Sequence, residues 1–285
     1  MSTRLWKQLS DRIDGIVKDF PGVAGIYVKD LKEGHSLAVH EDELFPIAST
    51  IKIHVLVQLL LRAERGELDL EQTIKLTPDL HVPGSGILTY LEGEVELSLL
   101  DLAILMIIVS DNTATNLCID LAGIEATNAL LDELGLQKTR LRRKMQDNEA
   151  ITQSKENIST PRELVAMLEL LYQGKPSPGV AEKALDILKK PKKALFSRVI
   201  PPTPLANKGG AMERVRCDAG LAYLPRRPYA IAITTSYGLG THEEQERFIV
   251  DLAERVHQTM KILDATSDYG QGIPTRHSVQ GVGHR

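Results

Sequence analysis

Apolar residues recur at helical spacing over positions 3–19 (Leu5, Leu9, Ile13, Ile16, Val17) until Pro21-Gly22 breaks the pattern, which predicts an opening amphipathic helix. Val23–Val28 and Ser36–Val39 read as two short strands around a turn at Lys32–Gly34. Beyond Pro46 the pattern changes. Ser49–Arg65 is apolar almost all round (Ile51, Ile53, Val55, Leu56, Val57, Leu59, Leu60, Leu61), and a helix without a polar face belongs inside a domain. Gly66 ends it. Ser98 and Asp101 resemble a capping box opening a second apolar helix through Ile108. Asp111-Asn112 interrupts that helix, and helical spacing resumes over Thr113–Ala122 and Ile124–Leu134.

Residues 141–159 have no periodicity, a length that marks a functional or loose loop. Thr160, Pro161 and Glu163 then supply an N-cap, an N1 proline and a capping-box glutamate for a helix over Arg162–Tyr172, with another over Val180–Leu188. Leu205–Gly210, Arg216–Tyr223 and Tyr229–Ser236 read as strands, Glu243–Leu263 as a long amphipathic helix, and residues 266–285 as a loose end. The simplest packing of this order is an α/β fold. Residues 1–40 and 191–285 form an antiparallel sheet flanked by the terminal helices, 41–190 form an all-helical insert, and the active site lies in the cleft between them.

Composition narrows the classes. With 285 residues, 42% hydrophobic and 25% charged, the chain can bury a sizeable core. A net charge of −4 and 4% aromatic residues, with no basic stripe, argue against nucleic acid or an anionic membrane as partner. The expected partner is a small-molecule substrate, and the expected state a monomer. Cys118 and Cys217 lack C-x-x-C spacing and read as two packed thiols, so neither a metal site nor a cofactor is expected. The first twenty residues are interrupted by charge (Arg4, Lys7, Asp11, Arg12, Asp14, Lys18, Asp19), so no export signal is visible. As written the chain reads as cytoplasmic; it would be periplasmic or secreted if a signal had been removed. The apolar run around Leu102–Val109 is too short for a membrane span.

Three short signals carry the chemistry. Ser49-Thr50-Ile51-Lys52 is the sole S-x-x-K, a motif expected roughly once by chance in a chain this long. Its placement adds weight: Ser49 stands where the buried helix begins, either as a plain N-cap or as a nucleophile near free N–H groups. Lys52 shares its face, and a lysine in so apolar a helix should lose its proton readily and serve as a base. Ser110-Asp111-Asn112 breaks the second buried helix, offering either an Asx cap or a hydroxyl and an amide presented to the cleft. Lys208-Gly209-Gly210 lies on a predicted strand, where two glycines also fit a weakened edge.

Together, in this order, the three signals resemble the S-x-x-K, S-D-N and K-T-G set of class A β-lactamases and penicillin-binding proteins. The likeness extends through Thr113, Ala114, Asn116 and Leu117, and again at Asn148, Ala150, Ile151, Thr160 and Pro161. The resemblance implies that Ser49 attacks a lactam or peptide carbonyl with Lys52 accepting its proton. Ser110 would pass the proton to the leaving nitrogen, aided by Lys208. Asn112 would bind the substrate's side-chain amide, and Lys208 its carboxylate. The N–H groups of Ser49 and Ala211, just past Gly210, would form the oxyanion hole.

Two positions depart from the family pattern. Gly209 replaces a threonine or serine whose hydroxyl would bind the carboxylate, and Arg214 or Arg216 is the candidate substitute. Counting back from Thr160-Pro161 through Asn148, the loop glutamate that activates the deacylating water falls on Lys144. Asp147, Glu149 and Glu156 are the nearby carboxylates. Acylation is therefore expected, with turnover slow or served by another base. Three functions stay open: a β-lactamase; a D-alanyl-D-alanine peptidase or esterase; and a penicillin-binding sensor that acylates without turnover. Neither G-x-S-x-G nor H-E-x-x-H occurs, His54 reads as a core residue, and Pro83-Gly84-Ser85-Gly86 reads as a cleft lip.

Overall fold

The computed structural model describes residues 2–200, 203–267 and 269–273. The expected loose end at 266–285 therefore lies largely outside the described residues. Within them, Thr266 bridges to Gly272 and folds the chain back.

Five antiparallel strands form the central sheet, in the order β2-β1-β9-β8-β7. They are β1 (Val23–Asp30), β2 (Ser36–Val39), β7 (Leu205–Met212), β8 (Val215–Ala222) and β9 (Tyr229–Ser236). Every residue of β8 and β9 is buried, because helices cover both faces. Period-two alternation sorts the side chains of β9. Tyr229, Ile231 and Ile233 meet the terminal helices α1 (Ser2–Lys18) and α9 (His242–Ala265). Ala230 and Ala232 instead join the core of the helical side, where small side chains let helices lie close.

That helical side comprises α2 (Lys52–Glu64), α3 (Leu99–Ile108), α4 (Asn112–Ala122), α5 (Ile124–Glu133), α7 (Pro161–Tyr172) and α8 (Pro178–Lys189). Helix α2 runs through its middle, buried from Lys52 to Leu61. The expected elements are all present. Four details differ. The chain enters α2 through a 3-10 turn, Ala48–Ile51, so the α-helix starts at Lys52 rather than Ser49. The aperiodic loop contains a five-residue helix, α6 (Asn148–Thr152), and a strand β6 (Ile158–Ser159) paired with β3 (Phe45–Pro46). A hairpin of β4 (Thr73–Leu76) and β5 (Val95–Ser98) was not foreseen. Thr160 caps α7, but Glu163 does not close the box: its carboxylate accepts from the N–H groups of Lys138 and Thr139 instead. Among the described residues no helix is long and apolar enough to cross a membrane.

Candidate active site

Ser49 lies in the 3-10 turn between the two halves. No side chain caps that turn or α2, so the hydroxyl of Ser49 is not spent as an N-cap. A 3-10 turn has three residues per turn, which eclipses positions i and i+3. Ser49 and Lys52 are therefore stacked on one side more strictly than an α-helix would stack them. The turn is pinned to the sheet by Thr50, whose Oγ1 donates to the Lys208 carbonyl at 3.3 Å and lies 3.1 Å from Cys217 Sγ. Cys217 in turn contacts the Ile47 carbonyl at 3.1 Å. Both cysteines are buried and free, and burial pushes each thiol up to about 12, so neither ionises near neutral pH. Cys217 is thus a structural pin.

The break between α3 and α4 positions the second hydroxyl. Ser110 adopts a left-handed conformation (φ 56°), and Ala48 beside Ser49 does the same (φ 43°). Such backbone strain persists where the surroundings over-determine it, characteristically at functional sites. Asp111 supplies the over-determination here: its buried carboxylate accepts from the N–H groups of Ala114, Ile87 and Leu88 at 2.7–2.9 Å. It caps α4 and ties the lip at 83–88 to the break. Ser85 of that lip accepts from the Asn112 N–H.

Ser110 Oγ is the hub. Lys52 Nζ donates to it at 3.0 Å and to the Ser110 carbonyl at 2.8 Å. Lys208 Nζ also donates to it, at 3.1 Å. Asn112 Oδ1 completes the Lys52 environment at 3.3 Å, while Asn112 Nδ2 is spent on the Pro83 carbonyl. Lys52 is fully buried, and burial, followed by the charge of Lys208, holds its ammonium far below the usual lysine range. Lys208 is pushed down to about 8, again mainly by burial, with the carboxylate of Asp218 acting to hold its proton.

Strand β7 forms the wall opposite. A Cβ on Gly210 would lie 2.9 Å from Ser49 N and 2.8 Å from both the Ile47 carbonyl and Cys217 Sγ, so only glycine allows this approach. Gly209 is different. A Cβ there would meet nothing closer than 3.6 Å, so no packing demand explains the missing hydroxyl.

Ser49 divides the cleft into two lobes. One, of about 680 Å³, is lined by Ser110, Lys208, Gly210, Ala211 and Arg216 among others. The other, of about 730 Å³, is lined by Asn112, Arg143, Gln146, Glu156 and Met212. The arrangement brings Ser49, Lys52, Ser110, Asn112, Lys208, Gly210 and Ala211 together, with Arg216 on the wall. It does not bring in Arg214, which sits exposed in the β7–β8 turn and donates to the Gly238 carbonyl. The loop also differs from the simplest expectation. Lys144 points away to pair with Asp120 at 2.5 Å, Asp147 caps α6, and Glu149 is exposed. Glu156 reaches the second lobe, but buried Arg143 holds its carboxylate at 2.7 Å. Reasoning from sequence missed Arg143, Gln146 and Glu246 as lining residues; only the folding of the loop and of α9 reveals them. His54 is a buried core residue, its ring pushed down to about 4 by burial and so neutral at pH 7.

An antiparallel sheet backed by two terminal helices, a helical block, and a serine-lysine cluster in the cleft between them is the architecture of class A β-lactamases and penicillin-binding proteins. The chain matches the model of the beta-lactamase enzyme family over residues 8–260, and it belongs to that family. Beta-lactamase SME-1 of Serratia marcescens is 30% identical over 169 residues, 57% of this chain and 56% of its own length. Beta-lactamase ROB-1 of Haemophilus influenzae is 28% identical over 249 residues, 84% of this chain and 80% of its own. With the imipenem-hydrolyzing beta-lactamase of Enterobacter cloacae the match again spans 57% of the relative. The chain therefore spans little more than half the length of the first two relatives it matches. Among solved structures, a beta-lactamase from Sphaerobacter thermophilus superposes with a TM-score of 0.82 at 28% identity, covering 89% of this chain and 97% of that one. PBP-A superposes at 0.80 with 29% identity over 89% and 96%. A mutant of PBP-A was solved as an acyl-enzyme complex with penicillin G.

Proposed function

We propose that this protein is a serine hydrolase that opens β-lactam amides through an acyl-enzyme on Ser49, using side chains alone on a small-molecule substrate. The carrying observation is that Ser110 Oγ lies within 3.0 Å of Lys52 Nζ and 3.1 Å of Lys208 Nζ. That spacing links Ser110 to both lysines, and Lys52 follows Ser49 by one turn, so a proton can pass between the two hydroxyls through Lys52. Neutral Lys52 takes the Ser49 proton as Ser49 Oγ bonds to the carbonyl carbon. The N–H groups of Ser49 and Ala211 bind the resulting oxyanion. When the C–N bond breaks, Ser110 gives its proton to the nitrogen and regains one from Lys52, which ends neutral as it began. Ser110 can do this because a hydroxyl accepting from two lysines still has its own hydrogen to donate. Lys208 and Arg216 hold the carboxylate in place of the hydroxyl absent at Gly209.

No loop carboxylate is free beside Ser49: Lys144 faces outward and Glu156 is held by Arg143. This favours slow release, and with it the reading as a penicillin-binding protein or peptidase on the same scaffold. The acyl-enzyme described for a PBP-A mutant supports that reading too. Intact mass recorded over time after addition of penicillin G tests both halves. The expected result is a stoichiometric adduct that vanishes in Ser49→Ala and decays slowly. Rapid decay with product overturns the slow-release part, and no adduct at all overturns the function.

A further inference from the structure

The two lobes flanking Ser49 have opposite charge. Among the described residues, Lys192, Lys193, Arg198, Lys208 and Arg216 line the 680 Å³ lobe with one carboxylate, Glu246. The other lobe has one cation, Arg143, against Glu156 and Glu213. A single substrate carboxylate engages Lys208 and Arg216 and leaves three cations over, of which Lys192 also feels the buried Asp218 carboxylate behind the wall.

Those three come from the connecting segment after α8, Lys192 and Lys193 as neighbours and Arg198 from the 3-10 turn that follows. Lys192 Nζ is fixed by the Leu188 carbonyl at 2.5 Å, and Lys193 beside it is exposed. Arg198 pairs with Glu246 Oε2 at 2.8 Å. Glu246 Oε1 lies 3.8 Å from Arg216 Nε, so one carboxylate spans two guanidiniums and cannot neutralise both. Arg216 is 5% exposed, with Nη1 donating to the Met212 and Val215 carbonyls, and its buried Nε has no hydrogen-bond partner. A buried guanidinium N–H left unpaired is costly, and an anion entering the lobe would relieve it.

We infer that this lobe is a double-anion site: it takes a leaving group bearing two carboxylates, one at Lys208 and Arg216, the second at Lys192, Lys193 and Arg198. The inference rests on the proposed acylation of Ser49, because that reaction places the leaving group on the Ser110–Lys208 side. Preferred substrates are then acyl amides or esters of a diacid, and a second carboxylate on the acyl side should give no advantage.

Two thioesters with the same acyl group test it: phenylacetylglycyl-mercaptosuccinate, whose leaving thiol has two carboxylates, and phenylacetylglycyl-mercaptoacetate, whose thiol has one. In each, Ser49 Oγ bonds to the carbonyl carbon as the C–S bond breaks, and the thiol leaves with the proton Ser49 gave up. The dianion should show roughly tenfold higher kcat/KM, the scale of two partly exposed ion contacts, with the advantage shrinking as salt rises. Lys193→Glu and the double variant Lys193→Ala/Arg198→Ala should each bring the ratio to about one. Lys193 is exposed, so its reversal leaves the fold intact even if the double variant is unstable. A wild-type ratio near one, or a ratio unmoved by Lys193→Glu, overturns the inference. Failure of both thioesters while penicillin G still labels Ser49 overturns it alone; loss of labelling as well overturns the proposed function with it.

Discussion

Replacing Gly210 with alanine should cripple acylation, whereas the same change one residue earlier should not. The new methyl at position 210 would sit 2.8 Å from the Ile47 carbonyl, 2.8 Å from Cys217 Sγ and 2.9 Å from Ser49 N. Two of these neighbours are backbone atoms at the turn that carries Ser49, so relief requires the turn and β7 to separate. Overpacking of this kind costs about 1–3 kcal/mol of stability. The larger effect is on rate, because the separation moves Ser49 N away from the oxyanion it must bind, and losing one such donor costs roughly 10²–10³ in rate. At Gly209 the nearest atom to an added methyl is 3.6 Å away. Alanine there removes backbone freedom from the unfolded chain and should stabilise by up to about 1 kcal/mol. Urea denaturation and the second-order rate of penicillin G adduct formation, measured on both variants, make the comparison. If Gly210→Ala acylates within threefold of wild type, the close approach of β7 to Ser49 has no catalytic meaning. Equal damage from Gly209→Ala would refute the steric argument.

Other perturbations give equally definite outcomes. Burial lowers Lys208 to about 8, so it is a cation below that pH and neutral above it. The kcat/KM for a carboxylate-bearing substrate should therefore fall as pH rises through about 8, and Lys208→Arg should push that limb to higher pH; a flat profile to pH 10 would contradict it. Asp111→Ala removes the acceptor of three backbone N–H groups, two of them on buried residues, and should cost about 2–4 kcal/mol in urea denaturation. A loss under about 1 kcal/mol would mean the break is held by something else. Glu156→Gln strips buried Arg143 of its charged partner and should cost about 1–3 kcal/mol, discounted for the partial exposure of Glu156. The lifetime of the Ser49 adduct should stay within twofold, whereas a tenfold lengthening would identify Glu156 as the deacylating base.

Local signals carried the fold well where one physical pattern dominated. The all-apolar run of α2, the Ser98 and Thr160 caps and the fully buried strand β9 each left a trace that side-chain periodicity reads directly. The hairpin β4–β5 left none, because its residues are half-exposed and mixed in character, as at Thr73, Lys75 and Glu96. Glu163 fitted a capping box in spacing, yet a distant turn at Lys138 and Thr139 offered it more donors, a competition that adjacent residues cannot disclose. The site divides in the same way. Ser49, Lys52, Ser110 and Lys208 were legible because the chemistry needs those residue types at fixed places on regular elements. Choosing Arg216 over Arg214 required the β7–β8 register, in which Ala211 pairs with Arg216 while Arg214 occupies the turn. Glu246 reaches the cleft from α9, 30 residues beyond Arg216, and no local pattern links the two.

The two lysines that share Ser110 Oγ cannot be equivalent. Each nitrogen lies within 3.1 Å of that oxygen, so the two are within about 6 Å of one another. Two like charges at that separation repel by about 3 kcal/mol at an effective dielectric of 20, enough to separate their titrations by roughly two pH units. The surroundings decide which one yields. Behind Lys208 stands Asp218, a buried carboxylate whose acceptor capacity is only partly met by Phe196 N and Asn207 Nδ2. The carboxylate acting on Lys52 is Asp111, and its two oxygens already accept three backbone N–H bonds. Lys208 therefore holds its proton more firmly than Lys52 does. That is the division the proposed acylation requires, in which a neutral amine receives the Ser49 proton while a fixed cation attracts the substrate's carboxylate. Asp218, fully buried and lining neither lobe, thus helps to keep the two titrations apart. By the same logic, neutralising it would lower the Lys208 titration and narrow the pH range in which both lysines are in their working states.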